Sequence, residues 1–226
     1  MRFPTPTIDY KSIRFQTLSS PSYRHVLLLL FWPIFGFLFY VAEHHHPTEH
    51  YISVYVPLDD HIPFMEIFVI PYLFWFLFLI GMHVYTFFYD VPSFKKLMHF
   101  IILTYGTSVI LFYLFPTCQE LRPEHFPRDN AFTRFMAGFY SFDTNTNVCP
   151  SLHVVGSLAV MFTARHCSAL QALPWRIFFT VTTLFISLST VFLKQHSVVD
   201  IAIAIPICLV AYWLCFLKDN SRCHEM

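Results

Sequence analysis

Six stretches of this chain are apolar over close to the ~20 residues a helix needs to cross a bilayer, and no other feature constrains the fold as tightly. They run over about 25–42, 64–89, 97–116, 152–171, 175–193 and 198–217. Composition agrees with lipid as the solvent. Hydrophobic residues make up 56% of the chain and charged residues only 12%, where a soluble domain carries roughly 25% charged residues. The expectation is an all-α integral membrane bundle of six transmembrane helices over 25–218, between an N-terminal segment 1–24 and a tail 219–226. The first stretch ends in Phe39-Tyr40-Val41-Ala42-Glu43, without the small residue a signal cleavage site wants, so it reads as an uncleaved span. No internal repeat is visible.

Alternating loops sort the cations. Ten of the fourteen Lys and Arg fall on one side, and the other side holds only Arg122, Arg128, Arg134 and Lys194. The positive-inside rule then makes both termini cytoplasmic. Fourteen acidic side chains balance the fourteen basic ones, so no nucleic-acid partner is indicated. The bilayer is the expected partner, and the compact chain suggests a bacterial plasma membrane. The two long loops, about 43–63 and 117–151, both lie on the extracytoplasmic side, where a site would be built. The Phe and Trp stripes read as lipid-facing and interfacial bulk.

Three polar signatures meet on that side: Leu121-Arg122-Pro123, Cys149-Pro150-Ser151-Leu152-His153, and Ser189-Thr190 followed by Lys194-Gln195-His196-Ser197-Val198-Val199-Asp200. Pro150 and Ser151 suit a helix start, where free N–H groups and the helix dipole favour an anion. Ser151 can add a hydroxyl donor, and His153 in the first turn would face the same anion. Arg122 can grip phosphate with two parallel bonds. His196 and Asp200, four residues apart, share one helical face. There the carboxylate can fix the imidazole tautomer and free the other nitrogen to attack. Asp200 is also an ionisable group just inside an apolar span, a costly placement that usually serves function. The scheme is phosphoryl transfer through a phosphohistidine, with cations and a helix dipole offsetting the phosphoryl charge, so no metal or other cofactor is expected.

At these residues the sequence resembles the type 2 phosphatidic acid phosphatase superfamily of membrane lipid phosphatases and phosphotransferases. The family's Pro-Ser-x-His motif is matched by Pro150-Ser151-Leu152-His153. Its Ser-Arg, five residues, His, three residues, Asp motif is matched in spacing by Ser189-Thr190, His196 and Asp200, and Arg122-Pro123 match the end of its first motif. The resemblance implies His196 as nucleophile, Asp200 as its partner, His153 as general acid, and Arg122, Ser151, Ser189 and Thr190 around the phosphate. Two cations are missing: Phe115 stands where the family has Lys, and Thr190 where it has Arg. The sequence is thereby closer to the inositol phosphorylceramide synthase-like branch. Lys194 could supply lost charge, or could equally be an interfacial cation. The implied activity is a lipid phosphatase acting on a phosphomonoester or diphosphate such as phosphatidic acid or a polyprenyl diphosphate. The alternative is transfer of a lipid headgroup to another alcohol.

Other polar features read as scaffold. The run His44-His45-His46, with Glu43, Glu49, His50 and His61 nearby, is expected to be a solvated loop rather than a metal site. Cys118 and Cys149 are expected to be thiols. Asp59-Asp60 would cap the second span, and Asp143, Asn145 and Asn147 would shape the loop before the central motif. A six-span transporter would carry its polar groups near the bilayer midplane. Here they collect at one boundary, with His83 the main exception. An intramembrane serine protease is disfavoured because no Gly-x-Ser-x-Gly-like turn is present.

Overall fold

The structure, a computed structural model, describes residues 6, 8–44 and 50–218. His45, His46 and Glu49 of the histidine-rich run and the tail 219–226 lie outside the described residues. The described chain is helical, with seven α-helices: α1 (Phe31–His44), α2 (Val69–Tyr89), α3 (Val91–Leu114), α4 (Ala131–Phe142), α5 (Leu152–His166), α6 (Leu173–Phe192) and α7 (Val198–Tyr212). A 3-10 segment, Arg24–Leu30, leads into α1, and a π-helical turn, Trp213–Leu217, extends α7.

Five segments are long and apolar enough to cross a membrane: Arg24–His44, Glu66–Tyr89, Val91–Leu114, Leu173–Phe192 and Val198–Leu217. Their outer faces carry Ile34, Phe37, Leu77, Ile110, Leu184 and Val210, each more than half exposed. A band of exposed large apolar side chains on every long helix fits a hydrocarbon solvent and would be costly in water.

The expected fourth span differs. The stretch read as 152–171 forms α5, which ends at His166 after 15 residues. At 1.5 Å per residue it is about 22 Å long, against a hydrocarbon core of ~30 Å. The apolar reading there reflects burial in protein instead of contact with lipid, since ten of its fifteen residues are buried. It packs against α2, α3, α6 and α7. Gly156 makes the tightest of these approaches possible: a Cβ there would lie 2.7 Å from Tyr105 Oη and 2.9 Å from Trp75 Nε1.

The third span starts at Val91 instead of near 97, because Asp90 caps it. The Asp90 carboxylate receives the Ser93 N–H at 3.1 Å and the Ser93 hydroxyl at 2.8 Å, with Pro92 in the first turn. The loop 117–151 contains a helix the apolar pattern does not reveal, α4. Asn130 caps it through the Phe132 and Thr133 N–H groups at 2.9 and 3.1 Å. Arg128 and Asn130 both bind Glu66, at 2.9 Å each, so this helix is tied to the start of the second span. Two short parallel strands, β1 (Ile52–Ser53) and β2 (Thr117–Cys118), join the two long loops, and Cys118 bridges antiparallel to Thr146. The long loops therefore form one polar cap over the end of the bundle where α5 and α7 begin.

Candidate active site

The turn between α6 and α7 sets the site. α6 ends at Phe192, and Lys194 takes a left-handed φ of 53°. This folds the chain back so that the Thr190 carbonyl accepts both the Gln195 and His196 N–H groups, at 3.0 and 3.1 Å. Ser189 and Thr190 thus act through their backbone. Their hydroxyls donate to the carbonyls of Ile186 and Ser187, at 2.6 and 2.8 Å, and do not line the cavity described below.

His196 Nδ1 donates to Asp200 Oδ2 at 2.9 Å, and the same oxygen receives the Ser197 N–H at 3.1 Å. Asp200 is wholly buried and His196 is 9% exposed. With Nδ1 committed to a carboxylate, Nε2 carries the lone pair. The turn is held from outside by Asp59, which is 1% exposed. Its carboxylate receives the Ser197 hydroxyl at 2.7 Å and the Val198 N–H at 2.9 Å. Asp59 was expected to cap the second span. Instead it caps α7, because the 3-10 turn Pro57–His61 carries it under the His196 turn.

His153 faces His196 with ring centroids 6.1 Å apart. Tyr72 stacks on it at 4.2 Å and Trp75 packs at 4.3 Å. Its Nε2 is buried without a hydrogen-bond partner. Ser151 sits at the N-cap position of α5, but its hydroxyl caps nothing and is also unpartnered. Its N–H reaches the Asp200 carbonyl at 3.3 Å. The Cys149 thiol lies beside Asp200, and burial together with that carboxylate pushes it up to about 12. Cys118 and Cys149 are both free thiols.

A cavity of about 320 Å³ opens between the two histidines and the cleft separating α1 from α2. One side of it is aromatic, with Trp32, Phe35 and Phe39 from α1 and Trp75 and Phe76 from α2. These rings, expected to face lipid, wall the cavity instead. Another side is polar, formed by Glu43, Asp143, Asn147 and Gln195. Asp143 was expected to shape the loop, with headgroup contact as the alternative; burial raises its carboxyl from the usual range while Arg122 and His196 pull it down.

Arg122 and Lys194 stand elsewhere. Arg122 Nη1 donates to the carbonyls of Tyr140 and Asp143, at 3.0 and 2.9 Å, and Nη2 to the Thr144 carbonyl and Gln195 Oε1, at 2.8 and 2.7 Å. Its Nη donors are occupied, and the guanidinium lies over the Tyr140 ring at 4.6 Å. Lys194 Nζ donates to the Asp59 carbonyl at 2.7 Å and lines a separate surface cavity of about 590 Å³. Gln195 carried no expectation, although it adjoins His196. Arg122 holds its Oε1, which turns Nε2 the other way. That nitrogen is buried and unpartnered, and Gln195 is one of the residues lining the cavity. No sequence rule singles out a lone Gln; its position before a histidine followed by Asp at i+4 was the available signal.

Among the described residues, no group of three His, Cys, Asp or Glu side chains is placed to hold a metal ion. His44 and His61 turn their Nδ1 atoms to the carbonyls of Tyr40 and Pro57, at 3.1 and 3.0 Å. The fold and cavity define a helical bundle with five helices long and apolar enough to cross a membrane and a buried two-histidine site at one end. Comparison with protein-family models, curated proteins and solved structures gave no match.

Proposed function

We propose that this chain is a membrane enzyme that moves a phosphoryl-containing group from a lipid through a covalent intermediate on His196. The observation that carries the reading is the buried His196–Asp200 pair, with Nε2 free and a second imidazole across one amphipathic cavity. Attack needs the nucleophile about 3 Å from phosphorus and the acid within hydrogen-bond reach of the leaving oxygen, which together ask for rings roughly 6 Å apart. His196 Nε2 bonds to phosphorus, the lipid P–O bond breaks, and protonated His153 gives its proton to the leaving alkoxide. Water or an alcohol then attacks phosphorus, returns a proton to His153 and frees His196. Gln195, which lines the cavity and has an unpartnered Nε2, is the candidate donor to the phosphoryl oxygens; the Ser151 hydroxyl is also unpartnered, but Ser151 does not line the cavity.

The resemblance noted above supports the same chemistry, and the distribution of Lys and Arg supports a site at the extracytoplasmic face with both termini cytoplasmic. A transporter is disfavoured because the chemistry-bearing side chains collect at one end of the bundle. Within the long helices Thr86, Thr104 and Ser108 each donate to the carbonyl four residues back, at 2.7–2.9 Å.

The acceptor separates the two enzyme readings. A phosphatase of phosphomonoesters or diphosphates must receive two or more negative charges. With Arg122 tied to carbonyls and Lys194 in another cavity, a phosphodiester carrying one charge suits the cavity better, which favours headgroup transfer over hydrolysis. The test is purified protein in vesicles of mixed phospholipids with EDTA present, analysed by mass spectrometry for diacylglycerol, for new phospholipid and for modified His196. Loss of one phospholipid class and an adduct on His196, both abolished in His196→Ala, is the expected result. Full turnover in His196→Ala overturns the mechanism.

A further inference from the structure

The charges around the cavity are opposite to those a polyanionic substrate would need. Among the described residues, its lining contains two carboxylates, Glu43 and Asp143, and neither a Lys nor an Arg. Arg122 approaches Asp143 at 3.8 Å and offsets one of these charges from outside, which leaves one over. Glu43 and Asp143 line the same cavity as His153 and His196, so the surplus charge shares it with the reacting centre. Asn147 adds a third acceptor. It is 4% exposed and has a left-handed φ of 51°. Its Nδ2 is committed to Glu43 Oε1 at 2.8 Å and the Ala42 carbonyl at 3.2 Å. Its Oδ1 is therefore an acceptor, and it has no partner.

We infer that the cavity recognises a phospholipid whose headgroup ends in a primary ammonium, an ethanolamine-type phosphodiester, received by Glu43, Asp143 and Asn147. The inference rests on His196 being the nucleophile. A primary ammonium brings three N–H donors and one positive charge, and the cavity lining presents three acceptor groups with one negative charge not matched by a cation; Glu43 already receives the Asn147 amide and the Thr144 and Thr146 hydroxyls, none of which carries charge. A quaternary ammonium has the charge but no donor for Asn147 Oδ1. A polyol headgroup has donors but leaves the charge unmet, and a phosphomonoester brings two negative charges against two carboxylates. The amphipathic lining fits as well, since its aromatic side, from α1 and α2, can take the glycerol backbone and the start of the acyl chains. In the transfer step the His196–phosphorus bond forms and the bond from phosphorus to the diacylglycerol oxygen breaks. His153 protonates that oxygen, and the phosphoethanolamine unit stays on His196 until an alcohol or water takes it.

The experiment uses full-length protein in vesicles containing phosphatidylethanolamine, its N-monomethyl and N,N-dimethyl derivatives, phosphatidylcholine, phosphatidylinositol and phosphatidic acid in equal amounts, with His196→Ala as the blank. Each methyl removes one N–H and leaves the charge. The expected result is a graded fall in His196-dependent consumption along the methyl series, about tenfold or more from first to last. Glu43→Gln should shrink the gap between the phosphatidylethanolamine and phosphatidylcholine rates. Because Glu43 also holds the 144–147 loop, the methyl series in the wild-type protein decides if that variant fails to fold. A flat series, or faster consumption of phosphatidylcholine, phosphatidylinositol or phosphatidic acid, overturns the headgroup assignment and leaves the His196 chemistry standing. Lipid loss that is equal in His196→Ala, or absent for every lipid, overturns the chemistry and the assignment with it.

Discussion

The Asp59 carboxylate is the perturbation that best separates this account from a reading in which the motif residues suffice. Asp59 lies 137 positions before His196, yet it receives the Ser197 hydroxyl at 2.7 Å and the Val198 N–H at 2.9 Å at a site that is 1% exposed. Its third bond, from the Val56 N–H at 3.0 Å, closes its own turn. Hydrogen bonds to a charged group contribute about 1.5–3 kcal/mol each, and a buried donor left without a partner costs about 1–3 kcal/mol. Two such bonds reach α7, and they are not additive, so Asp59→Ala should cost about 3 kcal/mol. That amounts to roughly two orders of magnitude in the population holding the turn. Because the turn orients His196, kcat should fall by about 10²-fold even in the folded fraction. Thermal melts in detergent and single-turnover rates, both with and without excess lipid, measure the two effects separately. Asp59→Asn keeps one acceptor and should recover part of both. Asp60→Asn removes only an exposed partner of Tyr55 and should change stability by less than about 0.5 kcal/mol. An Asp59→Ala protein with the wild-type melting midpoint and wild-type kcat would refute the argument that this carboxylate builds the site.

Two further outcomes follow from the same geometry. Gln195→Glu keeps an acceptor for Arg122 but removes the N–H that the proposal assigns to the phosphoryl oxygen, so kcat should drop by about 10²–10³-fold; unchanged kcat would exclude Gln195 as a donor. Gly156→Ala drives a Cβ to 2.7 Å from Tyr105 Oη and 2.9 Å from Trp75 Nε1, which should destabilise the bundle by about 1–3 kcal/mol and slow turnover by pushing Trp75 against His153, both read from one melt and one rate assay.

The long helices were legible because hydrophobic length is a local property. The end of the last apolar run at Leu217 and the end of α2 at Tyr89 followed from composition alone, while α2 starts at Val69, later than expected, after a separate 3-10 turn Glu66–Phe68. The fourth stretch misled because apolar sequence does not distinguish a helix that faces lipid from one buried among its neighbours, and α5 is of the second kind. The His196–Asp200 contact was legible from the spacing, although not for the reason expected: His196 lies in the turn before α7, and the capped start of that helix, not a shared helical face, brings Nδ1 onto the carboxylate. The roles of Arg122 and Lys194 were not, because charge alone does not say which acceptors a flexible side chain finds. Both meet backbone carbonyls of the polar cap first. Asp59 was misassigned for a related reason. Its local context suggests a cap, and only the tertiary fold decides that the helix it caps is α7.

The absent cations and the new residues are two sides of one arrangement. Phe115 and Thr190 take the places where the resembling family carries Lys and Arg, so the phosphate must be met with fewer positive charges. Arg122 remains but is set back, where it fixes the Gln195 amide through Oε1. A neutral amide N–H stabilises a singly charged phosphoryl group adequately and a multiply charged one poorly, because a hydrogen bond from a neutral donor is roughly half as strong as one from a cation. On the proposed chemistry the carboxylates in the cavity lining push in the same direction by repelling additional negative charge and attracting a cation attached to the same phosphate. The absence of Lys and Arg from the lining, the supporting place of Arg122, and the presence of Glu43 and Asp143 therefore act together. Each favours a zwitterionic phosphodiester over a bare lipid phosphate, and none of them alters the His196–Asp200 pair to which the bond exchange is assigned in the proposal.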